Sequence, residues 1–387
     1  MDIKVFGVEM WMNEFENHCE FNLAETCVKS ITLGELIDMA GINNSILDEL
    51  RGMRMGYGEI EGAERLRTAI ASLHEQQTAD NVLTTHGTIG ANSLVHQTLV
   101  NRGDHVIAIV PTYQQHYSIP ASIGAEVELL HLREENGFLP DLDALRAMMR
   151  PDTRMIATNN PNNPTGALMD REMLLAIADI ARGSDAWVLC DEVYRGTDQM
   201  GDGYTVSICD LYDKGISTAG MSKAYSLAGL RVGWIVAQRP LLEQVMIHRD
   251  YNTISVGGVD ELLSAIALEN RAKILERAHT ITRGNLAILS DWVEGEPLIS
   301  WVRPKSGTTA LLKYDLPTAS RDFCTQLLDE EGVLFTPGSA MDMEGWLRIG
   351  FANPTDDLRA GLARVSVFLA RHAADGPASS REAVHQA

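Results

Sequence analysis

A lysine at position 223, preceded by Ser222 and followed eight positions later by Arg231, is the strongest chemical signal in this chain. A lysine that attacks a carbonyl must be partly deprotonated, which burial and nearby positive charge can achieve. An arginine close by can hold a dianionic phosphate through paired hydrogen bonds. A surface lysine at a turn and a salt-bridged arginine would explain the pair equally well if it stood alone. It does not stand alone. Gly87-Thr88-Ile89-Gly90 falls between an expected strand and an expected helix, where backbone N–H groups favour a phosphate. Tyr113, in Pro111-Thr112-Tyr113, follows the next expected strand and could stack on a planar ligand. Asn160-Pro161-Asn162-Asn163-Pro164-Thr165-Gly166 holds polar amides at a further strand end. Asp191-Glu192-Val193-Tyr194 puts an acid at another, where it could pair with a positively charged ring nitrogen.

These groups need a scaffold that gathers strand ends. Between residues 80 and 237, short β-rich runs alternate with helical stretches. The runs are 82–87, 105–110, 126–132, 154–159, 186–191, 215–221 and 231–237, and several are continuously apolar. That pattern suits strands buried on both faces of a mainly parallel sheet. Helical spacing marks 89–101 and 170–182, with Asp170 as N-cap and Gly183 as stop. The fold class is therefore α/β, a mostly parallel seven-stranded sheet between helices, which binds ligands beyond the carboxyl ends of its strands. From about residue 280 the pattern becomes α+β, with helices at 282–293, 321–330 and 356–371 and strands at 299–303, 308–314, 333–336 and 347–351. The expected organisation is an N-terminal segment 1–45 packing on the small domain or a partner subunit, a large domain 46–280, a small domain 281–372 and a polar tail 373–387.

The ordered set resembles the class I/II aminotransferases of pyridoxal 5′-phosphate (PLP) fold type I, over about three quarters of the chain from Tyr57 to Arg348. The resemblance implies PLP as cofactor, linked to Lys223 as an internal aldimine, with Lys223 later shuttling the proton. It implies that Asp191 pairs with the pyridine nitrogen. Tyr194, helped by Asn163, would hydrogen-bond the ring's phenolic oxygen, and Tyr113 would stack on the ring. Gly87, Thr88, Ser222 and Arg231 would hold the phosphate. Tyr57 would reach the phosphate of the neighbouring subunit in a homodimer, and Arg348, with Asn163, would bind the substrate α-carboxylate. The implied activity is transamination of an α-amino acid through an external aldimine and a quinonoid. The alternative is a β- or γ-elimination, replacement or cyclisation in a biosynthetic pathway, on a hydroxyarginine-like or S-adenosylmethionine-like substrate. The peptides at 85–87, 133–138 and 249–253 are similar to the capreomycidine synthase branch, which eliminates and cyclises. A non-enzymatic PLP-fold binding module is disfavoured, because the lysine and aspartate positions are filled.

The sequence also departs from the family pattern. Gly220 stands three positions before the lysine, where the family carries a Ser or Thr on the phosphate, so one hydroxyl contact is missing. The segment Asn22-Leu23-Ala24-Glu25-Thr26-Cys27 lacks the usual Gly-x-Pro style, and Glu25 is a candidate for a cationic substrate end. No second substrate arginine is recognisable, which disfavours aspartate.

Composition narrows the rest. The chain has 387 residues, with 32 Lys and Arg against 53 Asp and Glu, a net charge of −21. That balance works against nucleic-acid binding and anionic membranes. Five scattered cysteines without a CxxC pair or zinc spacing fit reduced thiols in a cytoplasm and no metal centre. The N-terminus lacks signal-peptide character, and no stretch of 18 apolar residues occurs.

Overall fold

The computed structural model describes residues 2–42 and 45–374; the expected polar tail lies, from 375 on, outside the described residues. The strands in chain order are β1 (Phe21–Asn22), β2 (Val82–His86), β3 (His105–Val110), β4 (Glu126–His131), β5 (Thr153–Asn159), β6 (Trp187–Asp191), β7 (Gly215–Gly220), β8 (Val232–Val236), β9 (Ile299–Trp301), β10 (Thr309–Tyr314), β11 (Val333–Leu334), β12 (Thr336–Pro337) and β13 (Trp346–Gly350). Seven of them form the main sheet in the order β2-β8-β7-β6-β5-β3-β4. All residues of β3, β7 and β8 are buried, as continuous apolar or small runs covered on both faces require.

Only β8 runs against its neighbours in this sheet, pairing antiparallel with both β2 and β7. The consequence is geometric. Lys223 follows the carboxyl end of β7, whereas Arg231 precedes the amino end of β8, and reversal of β8 brings both to the same sheet edge. Arg231 itself lies outside the strand that it was expected to open, in the left-handed region at φ 52°. The helix expected at 89–101 runs instead over Gly87–Leu99. Gly87, at φ 67°, turns the chain straight out of β2 into the helix, so the glycine turn is the first helical turn. Asp170 caps the helix Arg171–Arg182 by accepting from the Met173 N–H at 2.9 Å.

The second sheet has the antiparallel order β12-β13-β10-β9, with the helices Ser320–Glu331 and Thr355–Ala374 sharing its apolar cluster. The strand expected at 333–336 divides into two, because β11 pairs with β1 and β12 pairs with β13. The N-terminal helix Gly7–Phe15 buries Trp11, whose indole N–H donates to the Phe335 carbonyl at 2.9 Å. The helix Arg271–Gly295 runs unbroken through position 280.

The sheets' two bodies also meet at Asp198, which accepts from the Ser306 hydroxyl at 2.7 Å. Burial pushes its carboxyl up to about 6, against the help of the Ser306 hydrogen bond. A carboxyl raised in the folded state binds more protons than in the unfolded chain, so its cost to stability grows as pH rises from about 4 to about 6. Asp198→Asn is expected to raise the melting temperature at pH 7.5 and to leave it unchanged at pH near 4, as read by thermal unfolding at both values. An equal shift at both pH values would rule out titration of this group.

Candidate active site

The largest convergence of sequence-selected residues lines one cavity of about 330 Å³, a volume suited to a small ligand. The strand ends of the main sheet bring Gly87, Thr88, Tyr113, Asn163, Asp191, Tyr194, Ser222, Lys223 and Arg231 to it. The small sheet adds Arg348 from β13, and the N-terminal segment adds Glu25. Tyr57 is the exception: it stands 86% exposed outside the lining.

One end of the cavity is an anion cradle. Gly87 and Thr88 offer the first N–H groups of the helix Gly87–Leu99, where the helix dipole favours negative charge. The Arg231 guanidinium closes on Gly87, and a Cβ at Gly87 would stand 3.0 Å from it. The Thr88 hydroxyl is buried and has no protein partner. Gly220 acquires its reason here, because a Cβ at that position would meet the Thr88 hydroxyl at 2.7 Å and the Val232 carbonyl at 2.9 Å. The hydroxyl absent from position 220 is thus accompanied by one from Thr88 held in the same space. Gly220→Ser is expected to destabilise the fold by about 1–3 kcal/mol through overpacking and to weaken anion binding, measured by urea unfolding and by phosphate titration. Unchanged stability would show that the cradle has room the contacts deny. Gly233 is tighter still: its Cβ would lie 2.2 Å from the Gly87 carbonyl carbon.

Asp191 lies at the cavity's floor, 4% exposed. Asn92 donates to one carboxylate oxygen at 2.8 Å, and the Val193 N–H donates to the other at 3.1 Å. Asn92 is itself fixed by the Thr218 hydroxyl at 2.6 Å. His116 stands 3.6 Å from the carboxylate and 3.3 Å from His96 behind it. Burial, then the neighbouring His116, holds His96 well below the usual imidazole range, so it is neutral at pH 7. The Asp191 carboxylate is thus buried and oriented towards the cavity by these donors.

The Lys223 amine donates to the Thr26 hydroxyl at 2.6 Å and approaches the Cys27 sulfur at 3.3 Å. Burial works against its charged form, but Cys27, Tyr194 and Glu25 outweigh it and the net direction is upward. Burial likewise opposes ionisation of Glu25, yet Lys223 and the Thr26 and Cys27 N–H groups hold it below the usual carboxylate range. One Glu25 oxygen accepts from both N–H groups, each at 2.7 Å, so half of this carboxylate serves its own loop. Arg348 is 4% exposed, and donates to Thr336 at 3.0 Å, to the Ala24 carbonyl at 3.2 Å and to Asn163 at 3.4 Å. Its Nε has no partner, and a buried guanidinium with a spare donor suits a carboxylate ligand. Tyr113 donates to Glu9 at 2.7 Å, and burial together with that carboxylate keeps its phenol protonated.

Several of these groups escaped the sequence reading. Thr26 and Cys27 lie in a segment already suspected of lining the pocket, so proximity to Glu25 was their signal. Asn92, His96 and His116 carry none, because helical positions give no sign of which side chain reaches a strand end. Glu9 and Glu16 come from a helix with no recognised motif. Away from the cavity, His74, Cys209 and Asp210 bring ligand atoms within 4.8 Å of one another. Asp210 there already accepts from the N–H groups of Glu75 and Gln76 and from the Gln77 amide, so the group is closed by its own hydrogen bonds.

An orphaned hydroxyl beside N–H donors and arginine, a buried carboxylate and an amine lining the same cavity fit PLP, with its phosphate, ring nitrogen and aldehyde. Comparison with known proteins agrees. The family model for aminotransferase class I and II matches residues 39–365. The chain is 34% identical to capreomycidine synthase of Streptomyces vinaceus, over 95% of this chain and 94% of that protein. Among solved structures it is similar to a PLP-dependent aminotransferase from Streptococcus suis (43% identity, TM-score 0.93, 96% and 99% of the two chains). It is also similar to the PLP-dependent cyclase OrfR (27% identity, TM-score 0.88, 96% and 98% of the two chains). Cavity chemistry, family model and relatives converge, and the chain belongs to the class I and II aminotransferase family of PLP-dependent enzymes.

Proposed function

We propose that the chain transaminates an α-amino acid, with Lys223 as the residue that both holds PLP and moves the Cα proton. The observation that carries this is the Lys223 amine lining one cavity together with the anion cradle and Arg348. When bound, PLP supplies a conjugated ring that accepts the electron pair left as the Cα–H bond breaks. The protein's residues do the rest. Gly87, Thr88, Ser222 and Arg231 would anchor the phosphate, and Asp191 would pair with the ring nitrogen. Tyr194 and Asn163 would hydrogen-bond the ring's phenolic oxygen, and Tyr113 would stack on the ring. Arg348, with Asn163, fixes the substrate carboxylate and so sets the Cα–H bond towards Lys223. Thr26, 2.6 Å from the amine, orients it for the transfer.

Borohydride reduction of PLP-loaded enzyme and peptide mapping test the assignment: the expected label sits on Lys223, and a label elsewhere or none contradicts it. Release of one equivalent of keto acid per site, with no second substrate present, identifies transamination. A second reading is elimination or cyclisation in a biosynthetic pathway. It is favoured by the likeness to capreomycidine synthase and to the cyclase OrfR. It predicts loss of a leaving group or a cyclic product, with the cofactor regenerated each cycle.

The exposed Tyr57 supports a homodimer in which it completes the neighbour's phosphate site. Light scattering should give twice the chain mass, and Tyr57→Phe should weaken PLP binding about tenfold, the loss of one charge-assisted hydrogen bond. Among the described residues no helix is long and apolar enough to cross a membrane. The five cysteines are unpaired, which supports the reducing cytoplasm as its compartment.

A further inference from the structure

The helix Gly87–Leu99 carries Thr88, Asn92 and His96 at successive intervals of four, so the three stand on one face. Two of them already have a place at the cavity. Thr88 holds its unpartnered hydroxyl at the anion cradle, and Asn92 donates to Asp191 at 2.8 Å. His96 reaches the same carboxylate through one intermediary. Its Nε2 lies 3.3 Å from His116 Nδ1, and His116 Nε2 lies 3.6 Å from the Asp191 oxygen that Asn92 also meets. Both imidazoles are fully buried, and neither lines the cavity. His96 Nδ1 and His116 Nε2 have no hydrogen-bond partner among the described residues.

The contact between the two rings holds one proton, and its position decides what Asp191 faces. With the proton on His96 Nε2, His116 accepts at Nδ1. A neutral His116 then carries its own proton on Nε2, where an N–H points at the carboxylate. With the proton on His116 Nδ1, a neutral His116 turns a lone pair towards that carboxylate, which repels it. His96 is then left with a buried N–H at Nδ1 and no acceptor, and orphaned N–H groups are rarer in protein interiors than under-satisfied acceptors. The first arrangement avoids both conflicts. His96 has a single N–H to give, because burial, then His116, keeps it neutral.

We propose that His96 is a positioning residue for the PLP site: its Nε2–H donates to His116 Nδ1, fixes His116 as the Nε2–H tautomer, and so keeps an N–H behind Asp191. This rests on the reading that Asp191 meets the ring nitrogen, and extends it to a residue outside the cavity. Asn92 and His116 steer one oxygen of the carboxylate and the Val193 N–H steers the other, so its orientation is set before the cofactor arrives.

Neutron diffraction from crystals of deuterium-exchanged holoenzyme reads the tautomers directly. Deuterium is expected on His96 Nε2 and His116 Nε2 and not on His116 Nδ1. Deuterium on His116 Nδ1 would overturn the proposal, whether that ring is then neutral or an imidazolium. His96→Leu removes the donor and should weaken PLP binding about tenfold in equilibrium dialysis, the weight of one buried hydrogen bond. His96→Gln, whose amide N–H reaches to a similar depth, should recover most of that loss. Unchanged binding in the Leu variant, or equal losses in the two variants, would each overturn the proposal, since a purely structural role is indifferent to the donor. In His116→Phe enzyme the His96→Leu change should no longer alter PLP binding, and an undiminished effect would count equally against it. Should the Leu variant not fold, the tautomers in the wild-type crystal still decide. Asp191→Ala binding PLP as tightly as wild type would instead remove the reading beneath the proposal and leave the tautomer result standing.

Discussion

Lys223→Ala should bind PLP only non-covalently and lose turnover by about 10⁴-fold or more. That is the scale expected when one group that both anchors the cofactor and transfers the proton is removed. The position of the amine explains the size of the effect. It is the one lysine of the lining, and Thr26 and Cys27 hold it at 2.6 and 3.3 Å. No neighbouring amine can replace it. Added primary amines of small size are expected to restore part of the rate to the alanine variant, because the cavity left is open to solvent at its mouth. The checks are steady-state kcat with and without added amine, and the cofactor absorbance of the purified variant. Full turnover by Lys223→Ala would end the proposed mechanism.

Asp191→Ala should lose cofactor on dialysis and lower kcat by about 10²–10⁴-fold, the cost of removing one member of a buried charge pair. The aspartate is 4% exposed and held by Asn92, the Val193 N–H and the nearby His116. Removing its charge leaves those donors facing a neutral void and leaves the ring nitrogen without a counter-charge. Asp191→Glu keeps the charge but lengthens the arm by one methylene, so it should retain more cofactor than the alanine variant while still turning over slowly. Equilibrium dialysis against PLP and kcat measured at saturating cofactor separate lost binding from lost chemistry. Wild-type kcat at saturating PLP would show that the carboxylate only retains the cofactor.

How much of this was legible in the linear chain depends on the range of the interaction concerned. The strands β3 and β8 could be read because burial on both faces leaves a continuous run of apolar or small residues, which is a local property. Asp170 and Gly183 could be read because capping spans only a few residues. The division of 333–336 into β11 and β12 could not, since it depends on pairing with β1 and β13 from distant parts of the chain. Gly220 is instructive. In sequence it registers as a missing hydroxyl, but in three dimensions its lack of a side chain makes room for Thr88, 132 positions earlier. The acidic face of the helix Gly7–Phe15 was invisible for the same reason: nothing within that helix signals that it lies over a cavity built by the main sheet.

From its residue order alone the chain set out its α/β alternation, the lysine, aspartate and arginine of the site, and the cofactor that such a set implies. The alternation rests on short-range patterns of hydrophobic periodicity and turn chemistry, whereas the residue roles and the cofactor rest on the resemblance of the ordered motifs to the aminotransferase family. Tertiary structure decided which side chains accompany them. It reversed β8 so that Arg231 meets Gly87, placed Asn92 and His116 behind Asp191, turned half of Glu25 inward to its own loop, and brought Glu9 and Glu16 into the cavity lining. Those partnerships form between segments far apart in sequence, where contact is set by packing of whole elements and not by any local spacing.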